Sequence, residues 1–384
     1  MVQSLRAAFY RGGTSKAVVF NSKDLPTDQA LRDRIFLHVL GSPDPNGRQL
    51  DGLGGGLSSL SKVVIVGPST HPDADVDYTF VQIAVRAPVA DYGSTCGNMS
   101  SCVGPFAVRE GFVTPTGETC QVRIHNTNTG QIYQAEFAVK DGAALEDGNF
   151  EIPGVSGSGA PIRLDFLNPG GAVTGALLPT GHEVDTIITD SGERFEVSLI
   201  DAANPVVFVR ARDIGCTGNE APETLDNNAE LMHRMDEIRR AGGVAMGMAT
   251  CAEEIPLSNP KVAMVAHPRE FTSLDGRCNS ADSHDIAVRL ISMGNFHKAI
   301  TLSGGMCVAV ACKLEGSLPA QIGGDAKTIR VGNPSGVLPV DAEVEAIGST
   351  QSARSATTFR TQRCIMSGAV HYPDDLLRKE IDTP

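Results

Sequence analysis

The sequence predicts a mixed α/β (α+β) fold built as two similar domains, and three observations carry that prediction. Short β-branched runs alternate with helical stretches along the chain, as in KVVIV at residues 62–66 and SSCVGPFAVRE at residues 100–110. The 41 glycines and 22 prolines among 384 residues mark many turns, without a G-X-Y period or a low-complexity tract. An ordered set of segments in the first half recurs in the second.

The first half reads element by element. Leu5–Phe20 is strand, tight turn and strand, with Arg11-Gly12-Gly13-Thr14-Ser15 at the turn. Asp24-Leu25-Pro26 ends this hairpin, and Thr27-Asp28 caps a helix to about Leu40, with Leu31, Ile35, Leu37 and Leu40 near one face. A glycine- and serine-rich turn, GLGGGLSSLS, leads into a strand over Lys62–Val66. A strand over Tyr78–Val85 follows, then a helix begun at Cys96-Gly97-Asn98 and ended at Glu110-Gly111. Strands Cys120–Asn126 and Gln131–Val139 flank the turn Asn126-Thr127-Asn128-Thr129-Gly130.

The second half replays that order. Phe195–Phe208 with Arg212-Asp213-Ile214-Gly215 matches the first hairpin, a helix fits from about Asn227 to Ala241, and Pro260-Lys261-Val262-Ala263-Met264-Val265 matches Ser61-Lys62-Val63-Val64-Ile65-Val66. After a strand over Asp285–Met293, SGGMCVAVACKLEG stands where CGNMSSCVGPFAVREG stood. The domains are therefore expected at residues 1–185 and 186–384, with the last strands able to return to the first domain. Two glycine-started helices aimed inward would give a cleft with two anion-binding helix ends, suited to a di- or tricarboxylate.

Composition narrows the function classes. A formal charge of −13 with no Lys/Arg cluster argues against nucleic acid as a partner. Nine cysteines, an odd number without CxxC pairs, read as reduced thiols of a cytoplasmic protein, and no Cys/His spacing suits zinc, so no metal is expected. MVQSLRAAFYRGG lacks an apolar core of signal-peptide length, and no apolar run is long enough to span a membrane. The chain is expected to be soluble and not exported.

Chemistry concentrates between Gly52 and Arg109. Lys62 opens an apolar strand, and Cys96 stands where a helix's first N–H groups would favour a thiolate. The serine-rich turn before Lys62 offers hydroxyls and amides to an anion. Together they suggest a proton-transfer site for a small carboxylate. A lysine serves as a base only when neutral, which burial promotes, and a proton drawn from carbon beside a conjugated acid leaves a dienolate that amide donors stabilise.

RGGTSKAVVF with DLP, GSPDP followed by LDGLGGGLSSLSK, DYGSTCGNMSS and SMGNFHKA resemble the PrpF/methylitaconate isomerase family, within the diaminopimelate epimerase-like superfamily. The resemblance runs from Leu5 to about Val340. It implies two related domains, each a mixed sheet curled around a central helix, with the site between them. It also implies a cofactor-independent isomerase of unsaturated di- or tricarboxylates, acting by cis–trans or 1,3-allylic isomerisation of aconitate, 2-methylaconitate, methylitaconate or 4-oxalomesaconate type, and a homodimer.

Carried over by position, the resemblance makes Lys62 and Cys96 the proton-transfer pair, and Thr14, Ser15, Ser59, Ser61, Gly97, Asn98, Arg269, His297 and Ser303 the carboxylate-binding positions. Leu57 and Leu60 stand where the family usually carries Thr, and Leu302-Ser303 where it often carries Gly-Thr, which bears on the choice of acid. Two rivals remain at this level. A two-cysteine epimerase or racemase of the same superfamily would need a second thiol at a helix start, where Cys307 lies too far inside. A carboxylate-binding accessory protein of an iron–sulfur dehydratase would need no turnover at all.

Overall fold

The computed structural model describes residues 2–377 except Ser94, Ser258, Met293, Asp325 and residues 348–349. The chain divides into two compact units, Met1–Leu164 with Arg360–Pro384, and Asp165–Phe359. Hydrogen bonding accounts for the position of the first break, which falls ahead of residue 185. Asp165 accepts from the Thr357 hydroxyl, Asn168 N–H donates to Arg354 O at 2.9 Å, and Ala203 N–H donates to Pro169 O at 2.7 Å, all inside the second unit.

In the first unit, β1 (Val2–Gly12) turns tightly at Gly12↔Ser15 into β2 (Ser15–Asn21). Helix α1 (Gln29–Leu40) then leads to β3 (Lys62–Pro68), parallel to β2, and β3 pairs antiparallel with β4 (Val76–Ile83), placing Lys62 opposite Gln82. Helix α2 (Ser100–Arg109) crosses to β5 (Thr119–Asn126), parallel to β4, and β6 (Gln131–Lys140) closes antiparallel to β5. On the other edge the strand Gln362–Pro373 pairs with β1 along its length, from Val2↔Pro373 to Gly12↔Gln362.

Local chemistry explains both helices. Asp28 caps α1 by accepting from Ala30 N–H at 3.0 Å, and Gly41 at φ 74° ends it, a left-handed conformation that costs glycine little. The buried face of α1, Ile35, Phe36, Val39 and Leu40, packs into one cluster with Val63, Ile65, Val81 and Ile83. Helix α2 is different, being buried from Ser100 through Val108. It lies so close to β6 that a Cβ on Gly104 would stand 2.7 Å from the Phe137 ring.

The second unit repeats the pairing order. Strand β7 (Asp185–Ile188) edges β8 (Arg194–Asp201), which pairs antiparallel with β9 (Pro205–Arg210). After α3 (Ala229–Ala245) comes β10 (Lys261–Ala266), parallel to β9 and antiparallel to β11 (Ile286–Ser292). Helix α4 (Leu302–Lys313) then precedes β12 (Ile329–Asn333), parallel to β11, and β13 (Gly336–Ile347), antiparallel to β12.

Strand periodicity sorts the core of this unit into two layers. Leu199, Val207, Val262 and Met264 join Leu231, Met235 and Ile238 of α3, whereas Ile200, Val206, Phe208 and Ala263 join Met306 to Cys312 of α4. A strand buried on both faces reads as an unbroken apolar run, which is why these segments lack polar alternation. Each Val, Leu, Ile, Phe or Met among them contributes about 1.5–3 kcal/mol on burial. Among the described residues the buried lysines are Lys62 and Lys261, each at the first position of its strand. No helix among them is long and apolar enough to cross a membrane.

Candidate active site

Lys62 is 7% exposed, and its ammonium position is set by one neutral partner, Gln82, whose Oε1 accepts from Nζ at 2.6 Å. The orientation of that amide is fixed independently, because Gln82 Nε2 donates to Ser61 O at 2.9 Å and to Ser58 O at 3.0 Å. The Phe80 ring lies 4.9 Å from Nζ. Among the described residues no carboxylate forms an ion pair with Lys62. Burial therefore lowers its pKa from the usual lysine value, and the charge of Cys96 offsets this only in part.

Cys96 is half-buried and stands one turn before α2, whose regular hydrogen bonding begins at Ser100. The expectation that the helix itself starts at Cys96 is corrected accordingly: Gly97, Asn98 and Met99 form a lead-in turn, and Cys96 O accepts from Ser100 N–H at 3.1 Å. Three groups fix this lead-in. The buried Tyr78 hydroxyl donates to Cys96 O at 3.1 Å, Asn126 Nδ2 donates to Thr95 Oγ1 at 2.6 Å, and Ser101 Oγ donates to Asn98 O at 2.8 Å. Burial holds Tyr78 well above the usual phenol range, so it is a neutral donor. Among the described residues the amides of Gly97, Asn98 and Met99 have no acceptor, leaving N–H groups at the start of a helix.

Arg360 completes this cluster. It is 7% exposed, its Nε donates to Asn98 Oδ1 at 3.1 Å, and Asn98 Nδ2 in turn donates to Thr14 Oγ1 at 3.0 Å. Burial draws the guanidinium pKa down to about 10, opposed by Cys96, so it remains a cation at neutral pH. Cys96 interacts electrostatically with Arg360, Lys62 and Tyr78. The turn carrying Thr14 fits against the same segment. Gly13 has φ 52°, and a Cβ there would lie 2.3 Å from Asn98 Oδ1.

Thr14, Lys62, Cys96, Gly97 and Asn98 thus gather in one neighbourhood of the first unit. Ser15 is buried at 3% exposure in the same turn. Ser59 is half-buried in the short 3-10 turn Ser58–Leu60. Ser61 is fully buried, and its hydroxyl is engaged by Gln49 Oε1 at 2.6 Å and Leu57 O at 2.8 Å. It builds the turn that presents Lys62.

In the second unit His297 is exposed, with Nδ1 on Ala299 O at 2.8 Å, and burial of its ring face together with the charge of Lys261 lowers its pKa against that carbonyl. Ser303 is half-buried in the first turn of α4, where Thr301, not Ser303, is the cap, accepting from Gly304 N–H at 3.1 Å. Arg269 lies elsewhere. It follows the far end of β10 from Lys261 and lines a cavity of about 340 Å³ with Arg210, Arg212 and His267, so it does not join His297. Gln82, Tyr78 and Arg360 are functional candidates that local sequence reading misses. Among the described residues no three His, Cys, Asp or Glu side chains are grouped as metal ligands.

Known proteins resemble this chain along nearly its whole length. Residues 2–373 match the PrpF protein family. The chain is 42% identical over 368 residues to the 3-methylitaconate isomerase of Eubacterium barkeri, covering 94% of this chain and 95% of that one. It is 35% identical to the 2-methyl-aconitate isomerase of Shewanella oneidensis over 382 residues, covering 96% of each. A crystal structure of methylitaconate-delta-isomerase superimposes with a TM-score of 0.92 at 39% identity, covering 100% of this chain and 99% of the other.

Proposed function

This chain belongs to the PrpF protein family, and from that premise we propose that it isomerises a small unsaturated di- or tricarboxylate, with Lys62 and Cys96 moving the protons. The observation that carries the reading is the neutral setting of Lys62: a buried amine held by an amide rather than a carboxylate, within reach of the charge of a half-buried thiol. Relatives that act on 3-methylitaconate and 2-methyl-aconitate support the substrate class.

Neutral Lys62 takes a proton from the carbon allylic to the acid, and the electron pair left behind delocalises into the conjugated carboxylate as a dienolate. The negative charge grows on carboxylate oxygens, where the unpaired amides of Gly97, Asn98 and Met99 and the Arg360 cation offer stabilisation. Donors of this kind are worth about 3–4 kcal/mol each in a site shielded from water. Return of the proton to the other end of the allylic system, from the Lys62 ammonium or the Cys96 thiol, moves the double bond. Rotation in the dienolate before that return gives the cis–trans outcome. Thr14 and Ser15 belong to the turn beside Asn98 and complete the carboxylate-binding edge, with Ser59 at the turn before Lys62.

The two-thiol alternative is disfavoured by Cys307. That thiol is fully buried, donates to Ile200 O at 3.5 Å, and is driven far above the usual thiol pKa by burial. The test is turnover of methylitaconate and of cis- and trans-aconitate, followed by ultraviolet absorbance and by deuterium uptake from heavy water. Lys62→Met is expected to lose both signals by about 10²- to 10⁴-fold, and Cys96→Ser to lose rate while keeping binding. Full activity of both variants would reject the assignment.

A further inference from the structure

The second unit holds a lysine that the proton-transfer chemistry leaves unused. Lys261 is 8% exposed and opens β10 as Lys62 opens β3. The repeat has nevertheless changed its partner. The register Val262↔Ile291 brings Ser292 into line with Lys261, where the first unit has Gln82. Serine is too short to hold the amine, and a different amide does so: Nζ donates to Asn204 Oδ1 at 2.8 Å, from the turn between β8 and β9. Asn204 Nδ2 is in turn engaged by Asn259 Oδ1 at 2.6 Å, which fixes the carbonyl oxygen toward the lysine.

That turn is built for the purpose. Ala203 sits at φ 59°, an unfavourable conformation for a residue with a Cβ, and is held there by its N–H bond to Pro169 O at 2.7 Å. The titratable groups that face Lys261 are His297 and Cys307, and Asp201 acts on Cys307. Among the described residues no Asp or Glu forms an ion pair with Lys261. A buried amine with a neutral partner and a second basic group beside it lacks the anion that would compensate it. A second proton-transfer centre is not available here, because the thiol of Cys307 is enclosed on Ile200 O.

We propose that Lys261, oriented by Asn204 and flanked by His297, is a carboxylate-binding group of the second unit, one that grips an anion without exchanging a carbon-bound proton. The choice of a carboxylate as ligand rests on the function proposed above. Burial sets the Lys261 pKa at about 8. A carboxylate placed on Nζ favours the ammonium, so binding near or above that pH takes up a proton.

Calorimetry of wild-type protein with tricarballylate, a saturated tricarboxylate that cannot isomerise, reads both effects when run in buffers of different ionisation enthalpy. Lys261→Met is expected to weaken binding by about 10- to 100-fold, the usual weight of a hydrogen bond to a charged group, and to abolish the proton uptake. Lys261→Arg is expected to recover affinity without recovering the uptake, because a guanidinium is already charged. Unchanged affinity and uptake in a folded Lys261→Met protein would overturn the proposal, as would failure of the wild type to bind tricarballylate. Loss of the isomerase reading is separable, since it appears as absent turnover while Lys261-dependent binding persists.

Discussion

Replacing Gln82 by glutamate tests the central electrostatic argument with a change of one polar atom. The amide oxygen lies 2.6 Å from Lys62 Nζ. A carboxylate at that distance attracts an ammonium by about 6 kcal/mol at an effective dielectric of about 20, before screening. Gln82 is half-buried, so solvent takes a share of this. Opposite charges at such range commonly shift the equilibrium toward the charged form so that the neutral amine becomes about 10- to 1000-fold scarcer at a given pH. The sign follows directly: burial lowers the pKa of Lys62 now, the new charge raises it, and the limb of the rate profile that tracks free amine moves to higher pH. The assay is kcat/KM against pH on a turned-over acid, with far-ultraviolet circular dichroism and Tm as controls for the lost Nε2 bonds to Ser58 and Ser61. Activity in Gln82→Glu is expected to fall at neutral pH and to recover in alkali. An unmoved limb at unchanged activity would refute the reasoning that Lys62 works as a neutral base.

Two further outcomes follow from the same neighbourhood. Gly13→Ala puts a Cβ on a residue at φ 52° and 2.3 Å from Asn98 Oδ1, so a stability loss of about 1–3 kcal/mol in urea unfolding is expected, with KM raised as Asn98 is displaced; unchanged midpoint and KM would contradict it. Arg360→Lys keeps the charge but replaces the planar fork that reaches Asn98, and is expected to raise KM by about tenfold with a smaller change in kcat. Steady-state kinetics with native-like Tm checks this, and equal KM values would remove Arg360 from the binding cluster.

What could be read from the sequence was what neighbours along the chain decide. Asp28 caps α1 where Thr27-Asp28 suggested, the helix ends at Leu40 as expected, and the pairing order of the second unit repeats that of the first. Lys62 and Cys96 stood out because a strand start and a helix approach are local features. Gln82 did not, since it meets Lys62 only through the register of β3 on β4. Arg360 joins Asn98 across 262 positions of sequence, and no short pattern marks such a pair. Ser61 was expected at the carboxylate from the resemblance, and its hydroxyl contact to Gln49 was not legible because Gln49 comes from a separate loop. Arg269 was expected beside His297 only from the family resemblance, whereas the length of β10 separates it from Lys261, the lysine whose charge His297 feels.

The pairing of β1 with Gln362–Pro373, and the seating of Arg360 on Asn98, have a consequence for how the protein is made. During synthesis the first unit waits, one sheet edge open and its cluster lacking the Arg360 cation, until residues 360–373 have been made. A gene cut after residue 164 would yield a fragment with an unpaired edge strand, a liability for self-association.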